Sequence, residues 1–444
     1  MPELPASGLA TRGGVHNRAI NPPIVMAGAV PTSFYDSSET RDPAEREAGL
    51  MAALPQLVAA ALRDAPAYRD RLAGVSPAAI DSRQALATLP LTRKAELVEV
   101  QRRDPPFGGF TTVPLGAVAR VFASPGPIYE IEARRPDFFR MARALHAAGF
   151  RAGDLVHNTF SYHLTPAGAM LESAALALGC PVIPAGTGQT EQQLNTIADL
   201  RPVAYVGTPS FLKILLDRAR ENGRDITSLK KAMVGAEAFP SVLRDEFRAA
   251  GINALQCYGT ADLGLIAYET MAPDGGVCGG MVVDEGVILE LVEPGGGTPV
   301  APGEIGEVVV TTLTPEYPLI RFATGDLSAL LTEPSPCGRT NQRIRGWLGR
   351  ADQSAKVRGM FVHPLQIGEI VRRHPAVRRA RLVVERPASA DVMTLLIETE
   401  APDEADAIAA TAQSVTKLRT AVRCVAPGSL PEDGRLIEDR RPIG

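Results

Sequence analysis

Several carboxylates, arginines and aromatics in this chain are spaced in ways that suit the binding of hydroxyls, cations and anions. Asp326 ends a Thr324-Gly325-Asp326 triplet that begins three residues after Arg321. A carboxylate on so tight a turn can accept two neighbouring hydroxyls, and Gly325 permits the backbone such a turn often needs. An isolated triplet of this kind is also common in ordinary surface turns. Asp262 follows Tyr258-Gly259-Thr260-Ala261 and offers a hard oxygen of the type that holds Mg2+, or simply a charge at a helix N-terminus. Glu237 closes Gly235-Ala236-Glu237, a tripeptide equally at home in a surface loop. Phe160, Tyr162 and His163 crowd into the segment 158–163. A lone histidine such as His163 is more often a structural hydrogen-bonder than an acid or base.

The elements that must position these residues are legible in outline. A helical pattern runs from Asp42 to Asp70, with Leu50, Leu54, Leu57, Val58, Ala61 and Leu62 three and four apart and Pro66 closing or kinking it. Between about 117 and 330 short apolar runs (Leu155–His157, Pro181–Pro184, Ala204–Val206, Ala232–Val234) alternate with helical stretches (Phe138–Ala148, Leu171–Leu178, Glu191–Leu200, Phe211–Asn222, Val242–Ala250). Such β–α alternation predicts a largely parallel sheet covered by helices, with ligands at the carboxyl ends of its strands. Alternating segments at Val287–Val292 and Glu307–Thr312 predict a β-rich part, and the tail reads as a small α+β unit.

The 444 residues, 45% hydrophobic and 22% charged, allow a sizeable core and more than one domain. A net charge of −4 leaves no basic footprint for nucleic acid, and no run of 18 apolar residues suggests a membrane span. The five cysteines are scattered, which predicts a reducing, cytoplasmic setting without disulfides or metal-ligand spacing. The first 34 residues have the composition of a flexible extension rather than a signal peptide. Lysine is scarce, with six in all.

Taken together and in order, four segments resemble the adenylate-forming enzymes: Tyr258–Asp262 their YG-x-[ST]-E loop, Arg321–Leu327 their R-[YF]-x-TGDL motif, Gly349–Gly359 their G-R-x-D-D-x-x-K-x-R-G hinge motif, and Gly235–Glu237 their GAE segment. Tyr35–Glu39, Ala67–Arg69, Leu89–Lys94, Gly188–Gln193 and Cys337–Thr340 resemble the phenylacetate–coenzyme A ligase branch in particular. The likeness runs from about Tyr35 to the C-terminus. It implies a large N-terminal α/β domain at 35–349, with parallel sheets and a β-rich subdomain. That domain divides into a helical lead-in at 35–116, an α/β core at 117–286 and a β-rich part at 287–349. A small mobile α+β C-terminal domain occupies 350–444.

It also implies a two-step reaction. A carboxylic acid attacks the α-phosphate of ATP, giving an acyl-adenylate and pyrophosphate, and coenzyme A then displaces AMP. On this resemblance Asp326 accepts the ribose hydroxyls, with Arg321 before it, and Arg350 reaches phosphate or ribose. Tyr258 stacks on adenine beside Gly259 and Thr260, and Gly235, Ala236 and Glu237 line that end of the pocket. Asp262 stands where the family's Mg2+-holding Glu stands. Phe160 and Tyr162 wall an apolar, aromatic acid with His163 facing the adenylate. Asp352 is the hinge, while Lys356 and Arg358 read equally as a solvated strand edge. No zinc and a possible homodimer are further expectations.

Two motifs depart from the family. Its phosphate loop, roughly [ST]-S-G-T-T-G-x-P, is matched by Phe122–Tyr129, where only Ser124 and Gly126 survive and two prolines remove N–H donors. Its C-terminal Gly-Lys is matched by Gly434-Arg435, and no lysine follows Lys417. The planar fork of Arg435 is no direct substitute for a compact ammonium. The alternatives to an active ligase are a homologue that binds nucleotide or acyl-adenylate without adenylating, and an enzyme that passes its acyl group to a carrier protein.

Overall fold

The computed structural model describes residues 34–441 apart from 125–126, 294–295, 352–354, 359, 363, 388–389, 401–403 and 433–434. Gly126 and Asp352 therefore lie outside the described residues.

The lead-in helix Pro43–Asp64 starts where the Asp42 side chain accepts from the N–H groups of Ala44 and Glu45, with Pro43 in the first turn. Leu50, Leu54, Leu57, Val58 and Ala61 form its buried face. The helix stops at Asp64, and Pro66 opens a second, short helix to Arg71. Burying each of these leucines contributes about 1.5–3 kcal/mol, so the stripe fixes which face meets the core.

Five strands, Val182–Pro184, Val156–Asn158, Ala204–Gly207, Lys231–Val234 and Asn253–Thr260, lie side by side and parallel. The helices Ala167–Ala177, Thr190–Leu200, Pro209–Glu221 and Ser241–Ala249 alternate with them. From Asn253–Thr260 the same sheet turns antiparallel, through Gly264–Tyr268, Met281–Val283, Arg343–Ile344, Phe322–Leu331, Ile305–Thr312 and Val287–Val292. The C-terminal segment builds a separate four-stranded sheet, with the helices Pro364–Arg373 and Ala405–Thr416 and an apolar core of its own. The fold is thus mixed α/β with a smaller second sheet domain.

One expected helix is much shorter than its sequence pattern. Only Ala142–Ala147 of 138–148 is helical, because Asp137 and Arg140 hold φ of 46° and 62°. Phe138 and Phe139 turn into the core, edge to face at 5.0 Å, so their apolarity reflects packing rather than helical period.

Arg321 departs from its expected place at the nucleotide. It is 2% exposed. Its Nε donates to Glu290 Oε2 (3.1 Å), Nη1 to the carbonyls of Ala87 and Leu89 (2.7 and 2.6 Å), and Nη2 to that of Gly297 (2.8 Å). Nη2 also lies 3.1 Å from Glu290 Oε1. A guanidinium has five N–H groups, and these partners engage them with scaffold atoms, so Arg321 staples the lead-in to the β-rich part. Removing one member of a buried ion pair strands the other. Arg321→Met should therefore cost on the order of 3–5 kcal/mol in urea unfolding, and a loss below about 1 kcal/mol would contradict this assignment.

Candidate functional site

The site is organised by an irregularity inside a strand. In Phe322–Leu331, Ala323 pairs with Val309 and Leu327 with Glu307, so Thr324, Gly325 and Asp326 together oppose Val308 alone. The expected turn is therefore a bulge, a device that re-aims side chains beside functional sites. Gly325 sits at φ 75°. A Cβ there would lie 2.7 Å from Arg350 Nη2, so the backbone conformation favours glycine and a side chain would displace the Arg350 guanidinium. Thr324 Oγ1 donates to the Val308 carbonyl (3.0 Å) and accepts from the Asp326 N–H (3.0 Å), pinning the bulge.

The bulge delivers Asp326, 8% exposed, to three donors. Tyr258 Oη reaches Oδ2 at 2.9 Å, while Trp347 Nε1 and Arg350 Nη1 reach Oδ1 at 3.0 and 2.9 Å. Arg350 stands directly opposite Asp326 in an antiparallel pair and also donates to the Thr324 carbonyl (3.1 Å). Burial pushes the Tyr258 phenol well up, with the Asp326 charge adding to it. Tyr258 keeps its proton and donates it.

A second cluster lies beside the first. Asp262 sits in the turn between the strands Asn253–Thr260 and Gly264–Tyr268, not at a helix end. Thr260 Oγ1 accepts from the Leu263 N–H (3.1 Å), and Arg140 binds the carbonyls of Leu263 and Leu265 (2.6 and 3.1 Å), so the turn is held from both sides. Gly259 is obligatory here, since a Cβ would meet the Gly264 carbonyl at 2.5 Å. The Asp262 side chain is fully buried and its Oδ2 lies 2.5 Å from Lys94 Nζ. Its Oδ1 is buried with no hydrogen-bond partner among the described residues, which leaves one hard oxygen for a cation such as Mg2+.

Lys94 owes its place to register: Thr92 and Arg93 pair in parallel with Phe322 and Ala323, which sets Lys94 alongside the bulge. Burial works to lower its pKa, but the charge and hydrogen bond of Asp262, with nearby Glu130, together raise it, so it stays an ammonium.

The segment expected to match the phosphate loop lies in the hairpin of Val118–Ser124 and Ile128–Ala133. Ser124 donates its hydroxyl to Glu130 rather than presenting it outward. Glu130 is 1% exposed. Burial, with the Asp262 charge adding to it, pushes its carboxyl up to about 8, so it is neutral at pH 7. Its Oε2 has no partner among the described residues.

The remaining residues are placed less tightly. Gly235 is buried, Ala236 is exposed in the left-handed region at φ 66°, and the Glu237 carbonyl accepts from Gln256 Nε2 (2.9 Å). Phe160 is buried. Tyr162 donates to Glu172 Oε2 and accepts from Asn158 Nδ2, both at 2.8 Å, so its hydroxyl is spent on the scaffold. His163 is exposed, and its ring makes no hydrogen bond among the described residues. Arg435 is exposed two residues before the strand Ile437–Asp439. Lys94, Glu130 and Trp347 were not singled out from sequence. For Lys94 the signals are the scarcity of lysine and its place at the end of the Leu89–Lys94 segment, and for Trp347 that it is the single tryptophan.

Comparison with known proteins gives the chain its family. The AMP-binding enzyme family model matches residues 138–314. The phenylacetate–coenzyme A ligase of Thermus thermophilus is 34% identical over 365 residues, covering 79% of this chain and 80% of the relative. That of Escherichia coli K12 is 33% identical over 76% and 79%. Among solved structures, 2-hydroxyisobutyryl-CoA ligase with 2-HIB-AMP and CoA in the thioesterification state superposes with a TM-score of 0.80 at 25% identity, over 94% of both chains. The same ligase in its postadenylation state gives 0.69 at 24% identity, also over 94% of both. The chain belongs to the phenylacetate–coenzyme A ligase family of AMP-binding enzymes.

Proposed function

We propose that the protein is an AMP-forming acid–coenzyme A ligase that activates an aryl or arylacetic acid through an acyl-adenylate. The observation that carries this reading is the bulge at Thr324–Asp326. It holds one carboxylate against Tyr258, Trp347 and Arg350, and a ribose diol can take over the acceptor sites those donors now occupy. Tyr258 then lies against the adenine, with Gly235, Ala236 and Glu237 at its edge. Arg350, released from Asp326, turns to the phosphate. Phe160 and Tyr162 face the acid.

The free Oδ1 of Asp262 fits Mg2+ bound through one carboxylate and substrate phosphates; that ion, when bound, neutralises phosphate charge. Neutral Glu130 adds no repulsion there. The closer superposition on the thioesterification-state relative and the exposure of Arg435 favour a C-terminal domain posed for the second half-reaction. Asp352 would act as its hinge and Arg435 would return to the site for the first.

The test is pyrophosphate release with ATP, Mg2+, coenzyme A and a panel of aryl acids. Turnover is expected with at least one arylacetic acid. No turnover on any acid, with AMP binding retained, would favour the adenylation-impaired alternative, and turnover only with a carrier-bound thiol would favour the other. Asp326→Ala should weaken AMP binding at least about a hundredfold by calorimetry, since two hydrogen bonds to a charged acceptor are lost. The variant should keep a cooperative melt, and unchanged affinity would remove Asp326 from the ribose. Arg435→Lys should raise the rate of pyrophosphate release, and an unaltered rate would mean that the segment does not occupy the family lysine's place.

Glu130 gives a pH signature in the nucleotide-free protein. Its folded pKa lies above the unfolded value, so the folded state holds a proton that the unfolded state releases between pH 4.5 and about 8. Its contribution to stability is greatest below that window and declines as pH rises to about 8. Glu130→Gln removes the decline. Its stability relative to wild type should grow by on the order of 3 kcal/mol between pH 5 and 9, whereas parallel profiles would show that Glu130 is already ionised at neutral pH.

A further inference from the structure

We propose that Lys94 is the catalytic cation of the adenylation half-reaction. In this reading the large domain itself supplies the ammonium that meets the α-phosphate of ATP. The inference rests on the ligase reading above.

The first argument is placement. Among the described residues Lys94 is the lysine beside the Asp326–Arg350 pair, close enough for the Arg350 charge to act on it. Lys213 and Lys231 are engaged elsewhere, with Asp217 and Asp154. The parallel pairing of Thr92 and Arg93 with Phe322 and Ala323 ties the Lys94 backbone to the strand that carries Asp326. A ligand gripped by the bulge is therefore gripped in register with this ammonium.

The second argument is incomplete pairing. A purely structural ion pair would leave its buried acid satisfied. Here Asp262 Oδ2 holds Lys94, yet Oδ1 has no partner, and neither has Oε2 of the neighbouring buried Glu130. Buried polar atoms without partners are costly. The Lys94 side chain is 31% exposed while that of Asp262 is fully buried, so of the two partners it is the lysine that is in part accessible. The arrangement calls for a ligand that brings a cation to the free carboxylate oxygen and an anion to the ammonium. A divalent metal–nucleoside triphosphate is such a ligand.

The third argument is chemical need. The hairpin at Ser124 spends its hydroxyl on Glu130, and the C-terminal segment offers arginine instead of lysine. When the acid's carboxylate oxygen bonds to the α-phosphorus, the bond from that phosphorus to the bridging oxygen breaks and pyrophosphate leaves with the electron pair. Lys94 keeps its proton throughout. Its compact ammonium stabilises charge on the α-phosphate oxygens, while Asp262 holds it in position.

The experiment compares the half-reactions in Lys94→Met, which keeps the stem's packing and removes the charge. Acid-dependent ATP–pyrophosphate exchange should fall at least about a hundredfold. Formation of thioester from synthetic arylacetyl-adenylate and coenzyme A should stay within about threefold. Lys94→Arg should recover part of the exchange. Exchange within threefold of wild type, or an equal fall in both half-reactions with an unchanged melting temperature, would overturn the proposal. If Lys94→Met does not fold, Lys94→Gln takes its place with the same readouts. If wild type shows no exchange with any acid, the ligase reading fails on its own account. Lys94 is then judged by binding: loss of its charge should weaken ATP at least about thirtyfold while leaving adenosine unchanged, and equal affinity for ATP would overturn the assignment.

Discussion

Three residues facing one is the constraint on which the site depends. With Thr324, Gly325 and Asp326 set against Val308, a strand that would otherwise alternate between core and surface instead delivers a carboxylate sideways. The bulge is possible only because Gly325 takes a left-handed backbone beneath the Arg350 guanidinium. From it follow the facing of Asp326 and Arg350 across an antiparallel pair and, through the parallel pairing on the other side, the position of Lys94. Three charges from distant parts of the sequence are thus held by backbone pairing rather than by long flexible side chains, which is how a site stays preorganised for charge that develops during reaction.

The second property is exchangeability. Asp326 is engaged in this structure by Tyr258, Trp347 and Arg350, yet a diol can replace donors with donors. Asp262 is the opposite case, half engaged and half waiting. Arg321 differs from both. Its contacts are with Glu290 and fixed carbonyls of the scaffold, which is the signature of a structural residue despite its place in a motif otherwise devoted to the site.

Much of the fold was legible in the sequence because its elements obey local rules. Pro43 and Asp42 start the first helix, Thr208 and Pro209 start another, and the short apolar runs of the parallel strands fall within a residue or two of where periodicity puts them. Tyr258 meets Asp326 in the structure although 68 residues separate them. What escaped was non-local. The bulge looked like a turn because register with Val308 cannot be read along one strand. The stretch at 138–141 looked helical because burial of Phe138 and Phe139 mimics helical period. Arg321 looked like a ligand residue because its partners lie at Ala87, Leu89, Glu290 and Gly297, far away in sequence. Lys94 and Glu130 escaped for the same reason: each gains its meaning only from Asp262, which packing and not spacing brings to them.

The central claim is that the carboxylate on the bulge exchanges its present partners for a ribose. The most direct measurement is a crystal structure with AMP and an arylacetic acid bound. Both ribose hydroxyls should lie within hydrogen-bond distance of the Asp326 carboxylate, with the Trp347 indole N–H no longer on Oδ1. Nucleotide bound elsewhere, or Asp326 still clasped by Tyr258, Trp347 and Arg350 while AMP is present, would contradict the account.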